Sequence, residues 1–172
     1  NSKLAYRKLA EACLLIDDLE NAAKAYESLF KIDPRDGKIS ILISDVYVDI
    51  QDFGKALRWA DKAITLVKNN GSGYGQKGKV YYKAWDNFRQ NPLTIDDRII
   101  ASLAYVNFLK AEKLKYRGFN KAKWLNENSK DVLYGKAQWF MADEKVKRAG
   151  KIQPMSSTYD WVTDSINAES DW

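Results

Sequence analysis

The sequence predicts an all-α fold, a solenoid of stacked helix–turn–helix units that gives way to longer, divergent helices and a short capping segment. Three observations carry this reading. Apolar residues recur at three- and four-residue spacings through most of the chain. Local breaks at Asp17-Asp18, Asp33-Pro34, Asn69 to Gly73 and Asn91-Pro92 divide these stretches into helix-sized pieces. The pattern of residues 18–34 returns after 34 residues, with Asp18 over Asp52, Leu19 over Phe53 and Ala22 over Ala56. A fixed period of this length outranks local propensity, because each unit buries its apolar face only by stacking on a neighbour.

The first unit spans residues 3–36. Leu4, Tyr6, Leu9, Ala10, Cys13 and Ile16 predict a first helix with an apolar side. Asp17-Asp18 offers a turn and an N-cap. Leu19, Ala22, Ala23, Tyr26, Leu29 and Phe30 then form one face of a second helix. Asp33-Pro34 ends it, since the residue before proline is pushed out of helical geometry.

The second unit spans residues 37–70, and its first half holds a conflict. Ile39, Ile41 and Ile43 alternate and are β-branched, which locally favours a strand. Ile39, Ile43, Val46, Tyr47 and Ile50 also make a helical stripe, and the 34-residue register decides for helix. Residues 53–68 form a cleaner amphipathic helix, closed by a glycine-rich turn.

These residues resemble the tetratricopeptide repeat. Tyr6, Leu9, Ala10 and Cys13 sit at the family's first-helix places, and Ala22, Tyr26 and Pro34 at its second-helix places. Ser40, Ile43, Ser44 and Tyr47 follow in the second unit, with Ala56, Ala60 and Lys68. Tyr74, Gly78 and Tyr81 open a third. Ala10, Ser44 and Gly78 are small where helices approach closely, and so are Ala22 and Ala56. Ser40, Ala60, Lys68 and Lys77 depart from the pattern, Lys77 standing where leucine is usual. The resemblance covers residues 3–82 and implies a right-handed superhelix whose first helices line a concave groove for a peptide or partner segment. By that register the groove would be lined by Arg7, Glu11, Leu14, Lys38, Ile41, Asp45, Val48, Lys79, Tyr82 and Lys83. Some members clamp a terminal carboxylate with Lys, Arg and Asn; Glu11 and Asp45 stand here where asparagine would help.

Beyond residue 82 the period loosens. A helix over residues 74–90 stops at Asn91-Pro92. Thr94-Ile95-Asp96-Asp97 predicts a capping box and a helix to about Arg117. Residues 118–122 echo residues 52–56 and predict a short second-helix segment ending near Asn128. Ser129 would cap a further helix over residues 130–149, with Val132, Leu133, Phe140 and Met141 on its apolar side. Residues 1–150 are thus one array, divergent from residue 71. Residues 151–172 form a capping helix around Trp161, Val162 and Ile166, with a frayed end.

Composition narrows the function. A chain of 172 residues with 45% hydrophobic and 30% charged residues is expected to fold rather than stay disordered. No apolar run is long enough to span a membrane. The chain starts at Asn1 and shows no signal-peptide pattern, which predicts a piece of something longer whose targeting information is missing; a soluble cytoplasmic setting is the default expectation. There is no histidine and one cysteine, Cys13, so His-based catalysis, His-ligated metals and an intrachain disulfide are excluded. Asp17/Asp18 and Asp96/Asp97 are helix caps rather than acid–base pairs. The glycines from Gly71 to Gly78 lack phosphate-loop spacing and read as a turn. No cofactor is expected.

The net charge of +5 resides in the second half, and residues 110–151 carry 12 basic against 5 acidic side chains. Trp85, Tyr105, Trp124, Trp139 and Phe140 lie in or beside this half. Their helical spacing with aliphatic neighbours makes them core residues. Interleaved with lysines, such rings could instead stack nucleic-acid bases. The expected function is therefore a non-enzymatic module binding a protein or peptide partner in the groove. Nucleic-acid or acidic-partner binding through residues 110–151 is the alternative, and a structural arm of a larger protein the weaker one.

Overall fold

The computed structural model of the chain describes residues 2–116 and 120–167. Three antiparallel helix pairs stack in sequence: α1 (Ser2–Leu15) with α2 (Leu19–Ile32), α3 (Gly37–Asp49) with α4 (Phe53–Leu66), and α5 (Ser72–Phe88) with α6 (Ile95–Lys113). Each first helix after α1 also packs on the second helix of the unit before it. The register organises the core. Ala10, Ala22, Ala56 and Ser44 are fully buried where helices cross, and the Ser44 hydroxyl donates to the Ala56 carbonyl at 2.8 Å, tying α3 to α4. Gly78 lies under Phe108, and a Cβ there would come within 2.5 Å of its ring.

The caps follow the sequence. Asp18 accepts from the Asn21 amide, Asp36 from that of Lys38 and Asp52 from that of Lys55. Thr94 and Asp97 form a reciprocal capping box. The β-branched run of residues 38–48 is helical throughout, because both Ile39 and Ile43 are buried by neighbouring helices.

In α1 the expected apolar stripe is only partly covered. Ala10 and Cys13 are buried, while Leu4, Tyr6, Leu9 and Ile16 are exposed. The echo at residues 118–122 falls partly on residues 117–119, outside the described residues; α7 (Asn120–Glu127) follows and packs on α6.

Two expectations for the C-terminal part are corrected. Residues 130–149 do not form one helix but three short ones, α8 (Ser129–Val132), α9 (Lys136–Phe140) and α10 (Glu144–Ala149). The first break has a tertiary cause: the Tyr134 amide leaves the helix to donate to Ser102 Oγ at 2.8 Å, and Gly135 is extended. The ends of the pieces turn outward, so Phe140 and Met141 are 81% and 86% exposed rather than core. The capping helix around Trp161 is replaced by a strap. Strand β1 (Lys151–Ile152) pairs antiparallel with β2 (Ile166–Asn167), and a single 3-10 turn over Ser157–Tyr159 lies between them. Against the fraying expected from Asn167 on, Asn167 is paired in β2, and the residues after it lie outside the described residues.

Candidate functional site

The residues expected to line a groove fall on one face each of α1, α3 and α5, as helical periodicity requires. On α5, Lys79 and Lys83 are one turn apart. Lys77, Tyr81 and Phe88 occupy the opposite side. The strap lies on that opposite side. Trp161 stacks on Phe53 and Tyr81, with ring centroids 5.9 Å from each, and Gly54 leaves room for it. Tyr81 donates to Asp164 at 2.9 Å, and Tyr159 to Asp97 at 2.8 Å. The amides of Met155 and Ser156 donate to Asp96. The strap therefore covers the outer side of α5 between α4 and α6 and leaves the inner side open.

At the centre of that inner side is an ionic network. Asp45 Oδ1 accepts from Lys79 Nζ at 2.7 Å and from Gln76 Nε2 at 2.8 Å, joining α3 to α5. Gln76 also donates to Ser44 Oγ at 3.0 Å, which links the network to the α3–α4 crossing. One turn on from Asp45, Asp49 has its carboxyl pKa raised, first by burial and next by the Asp45 charge, against the opposing pull of Lys79 and Lys83. Asparagine's place in a carboxylate clamp is thus filled by an acid already engaged by a lysine.

The other expected residues distribute around this network. Arg7 and Glu11 lie close enough to the Tyr26 phenol to act on it in opposite senses, although burial is the larger cause of its raised pKa. Leu14 is 36% exposed. Lys38 and Lys83 are exposed, and Ile41 is half-buried. Tyr82 is half-buried and held from the α7 side: Lys121 Nζ sits 4.4 Å from its ring centroid and 3.3 Å from its hydroxyl. Val48 is corrected. It is 5% exposed and belongs to the core, because the helices on either side of α3 close over it.

Four residues on or beside these faces are absent from the expected set. Leu4 and Leu15 are 54% and 88% exposed on α1, Asp49 is exposed on α3, and Gln76, bonded to Asp45, is buried on α5. The signal for the first three was present, since the 34-residue register places Leu4 over Lys38, and Leu15 over Asp49 and Lys83. These faces therefore combine exposed leucines with Arg7 and Glu11 along α1 and an ionic network between α3 and α5.

A cleft of about 760 Å³ lies elsewhere, between α5, α6 and the strap, with Tyr74, Asn107, Lys110 and Asp164 in its wall. Two aromatic expectations also divide. Trp85 is 1% exposed and packs against Trp124, but Trp124 is itself 39% exposed. Among the described residues no group of His, Cys, Asp and Glu could hold a metal ion, and no helix is long and apolar enough to cross a membrane.

Among solved structures, the chain is similar to the first TPR of Spaghetti (RPAP3), bound there to the HSP90 peptide SRMEEVD. The TM-score is 0.58 at 13% identity, over 75% of this chain and 91% of that one. The TPR2B domain of yeast Sti1, in its complex with pHsp70, matches with a TM-score of 0.53 at 17% identity, over 74% and 86% of the two chains. The chain has the tetratricopeptide-repeat fold. No protein-family model and no curated protein matches the sequence. The repeat pattern of residues 3–82 and the stacked TPR pairs agree in register. The strap and the broken helices after α7 are additions to that frame.

Proposed function

We propose that this TPR array is a non-enzymatic protein-interaction module that holds a partner's peptide segment against the inner faces of α1, α3 and α5. The observation that carries the reading is the composition of that face: exposed Leu4, Leu14 and Leu15 beside the Asp45–Lys79 pair and the exposed Asp49 and Lys83, on a surface the strap leaves open. An apolar strip next to fixed charges suits a segment that inserts side chains on one side and meets ions on the other. One similar structure holds an HSP90 peptide and the other is a complex with pHsp70, which supports a peptide segment as the occupant. The engaged Asp45 argues for a partner that meets both signs of charge rather than a bare terminal carboxylate.

Binding through the basic half is disfavoured by how its side chains are used. Lys121 caps Tyr82, Lys123 pairs with Glu127, and Lys147 pairs with Glu144 while lying over Phe140. The test is a peptide-display selection against the whole chain, repeated with a Lys38→Ala, Asp45→Ala, Lys79→Ala variant. Loss of the selected peptides from the variant is expected. Recovery of an identical set removes the groove assignment. Binding of generic RNA or duplex DNA that weakens steeply with salt would favour the basic half instead.

A further inference from the structure

Helices α1, α3 and α5 occupy the same place in successive units, so residues 34 apart can be compared directly. The comparison singles out one stripe, set at spacings of four, three and four residues. On α3 it is Ile39, Ile43, Val46 and Ile50; the first three are 2%, 0% and 3% exposed and the last is half-buried. On α5 it is Gly73, Lys77, Val80 and Ala84, all buried. This stripe faces the preceding unit's second helix. Gly73 is pressed against the backbone of Ile64 on α4, where a Cβ would come within 2.7 Å of the Ile64 nitrogen, and Lys77 Nζ lies 2.6 Å from Asp61 on α4. Beside the stripe on α3, Tyr47 donates to Glu27 of α2 at 2.8 Å.

On α1 the same four places are Ala5, Leu9, Ala12 and Ile16, and all four are exposed, Leu9 by 52% and Ile16 by 75%. Tyr6, next to the stripe, is 36% exposed. An array that buries this stripe twice leaves its first copy apolar and bare, although single units gain their stability from such neighbour contacts. Contiguous exposed apolar residues on a folded surface mark a docking site.

We propose that this face of α1 docks an amphipathic helix of the α2 type, seated as α2 is seated on α3. The chemistry of the occupant is given by the two helices that cover the equivalent faces. The buried residues of α2 are Ala22, Ala23, Ala25, Tyr26 and Leu29, and those of α4 are Phe53, Ala56, Leu57, Ala60 and Ala63. Both are alanine-rich, which permits close approach, with an aromatic and a leucine to fill the gaps. The face is separate from the groove, so the proposal stands or falls independently of the peptide-binding reading.

The test adds such a helix in register. Residue 37 corresponds to residue 3, so a second copy of residues 18–36 fused ahead of Lys3 carries its own turn into α1. Hydrogen exchange and melting are then compared between the fused and the original chain, with the α5 and α6 amides as the internal reference for a folded array. Exchange of the α1 amides is expected to slow about tenfold or more, with a melting temperature higher by about 3 °C or more. Leu9→Glu should cancel both gains in the fused chain and leave the original chain's melting unchanged. Unaltered α1 exchange beside a protected α5 and α6 overturns the proposal. So does a concentration-dependent dimer of the original chain, seen by sedimentation and dispersed by Leu9→Glu, because the occupant is then a second copy's α1.

Discussion

Lys77 Nζ lies 2.7 Å from Asp164 Oδ2, so an inner helix is tied to the C-terminal strap by a nearly buried ammonium. Asp61 of α4 completes the site at 2.6 Å. Burial works against the Lys77 charge, but the hydrogen bonds it donates to Asp164 and Asp61 outweigh it and the pKa is raised. Lys77 is also the residue that departs from the repeat pattern, where leucine is usual. The strap explains the departure: a position that normally packs between helices has become an anchor for an added segment. Lys77→Leu should therefore keep the helical array, since both aspartates are partly exposed and can be hydrated. It should release the strap. Hydrogen exchange over residues 155–167 is the measurement, with faster exchange there and unchanged protection in α1 to α4 as the expected outcome. Global unfolding would mean that the ammonium holds the array itself.

The second strap anchor makes stability depend on acid. Burial alone would raise the Asp97 pKa, but the amides of Thr94 and Gln90 and the Tyr159 hydroxyl all donate to its carboxylate, and the result is a lowered pKa. A carboxyl whose folded pKa lies below its unfolded value stabilises the fold fully above that unfolded value, here 3.8. The contribution is lost as pH falls through the lower folded value. Melting temperatures taken between about pH 5 and pH 2 should fall more steeply for the original chain than for Asp97→Asn. Equal slopes would show that the Asp97 bonds do not persist in solution.

In the groove, charge and stability are expected to separate. The Asp45–Lys79 pair is 2.7 Å long, but its side chains are 36% and 44% exposed. Exposed pairs of this kind contribute about 1 kcal/mol at most. Lys79→Ala should shift the melting temperature little, while lowering affinity for a groove-bound peptide several-fold. A large loss of stability in Lys79→Ala would make the network a structural clasp instead of a recognition surface.

How far the fold could be read from the residues depended on the range of the interactions. The first two pairs and α5 follow from a register within reach of local pattern, and α6 from its capping box: caps at Asp18 and Asp52, small residues at Ala22 and Ala56, and the helix at Ile39 and Ile43 despite its strand-like look. The strap was not legible. Tyr81 and Asp164 are 83 residues apart, and Asp97 and Tyr159 are 62 apart, so no spacing rule connects them. The break at Tyr134 has the same origin, since its amide leaves the helix for Ser102, 32 residues away. On the inner faces the register also pointed to Asp49, Leu4 and Leu15, but the two leucines were hidden by their type and Gln76 by its burial. A leucine on a helix suggests core, and only the exposure of α1 shows otherwise.

The tightest consequence of the register lies at the helix crossings. Gly78 and Ala22 are expected to be small because another helix touches them, and the structure gives each a test of different severity. At Gly78 a Cβ would meet the Phe108 ring at 2.5 Å, and that ring is 1% exposed, so it has little room to retreat. Gly78→Ala would normally stabilise a helix by about 1 kcal/mol through propensity alone. Here overpacking should reverse the sign and leave a net loss of about 1–2 kcal/mol. Ala22 is 0% exposed, and Ala22→Leu adds three carbons to a closed crossing, for a loss of about 1–3 kcal/mol. Denaturant melts of both variants decide the matter, because stabilisation by Gly78→Ala would show that α5 and α6 do not cross as closely as the Phe108 contact requires.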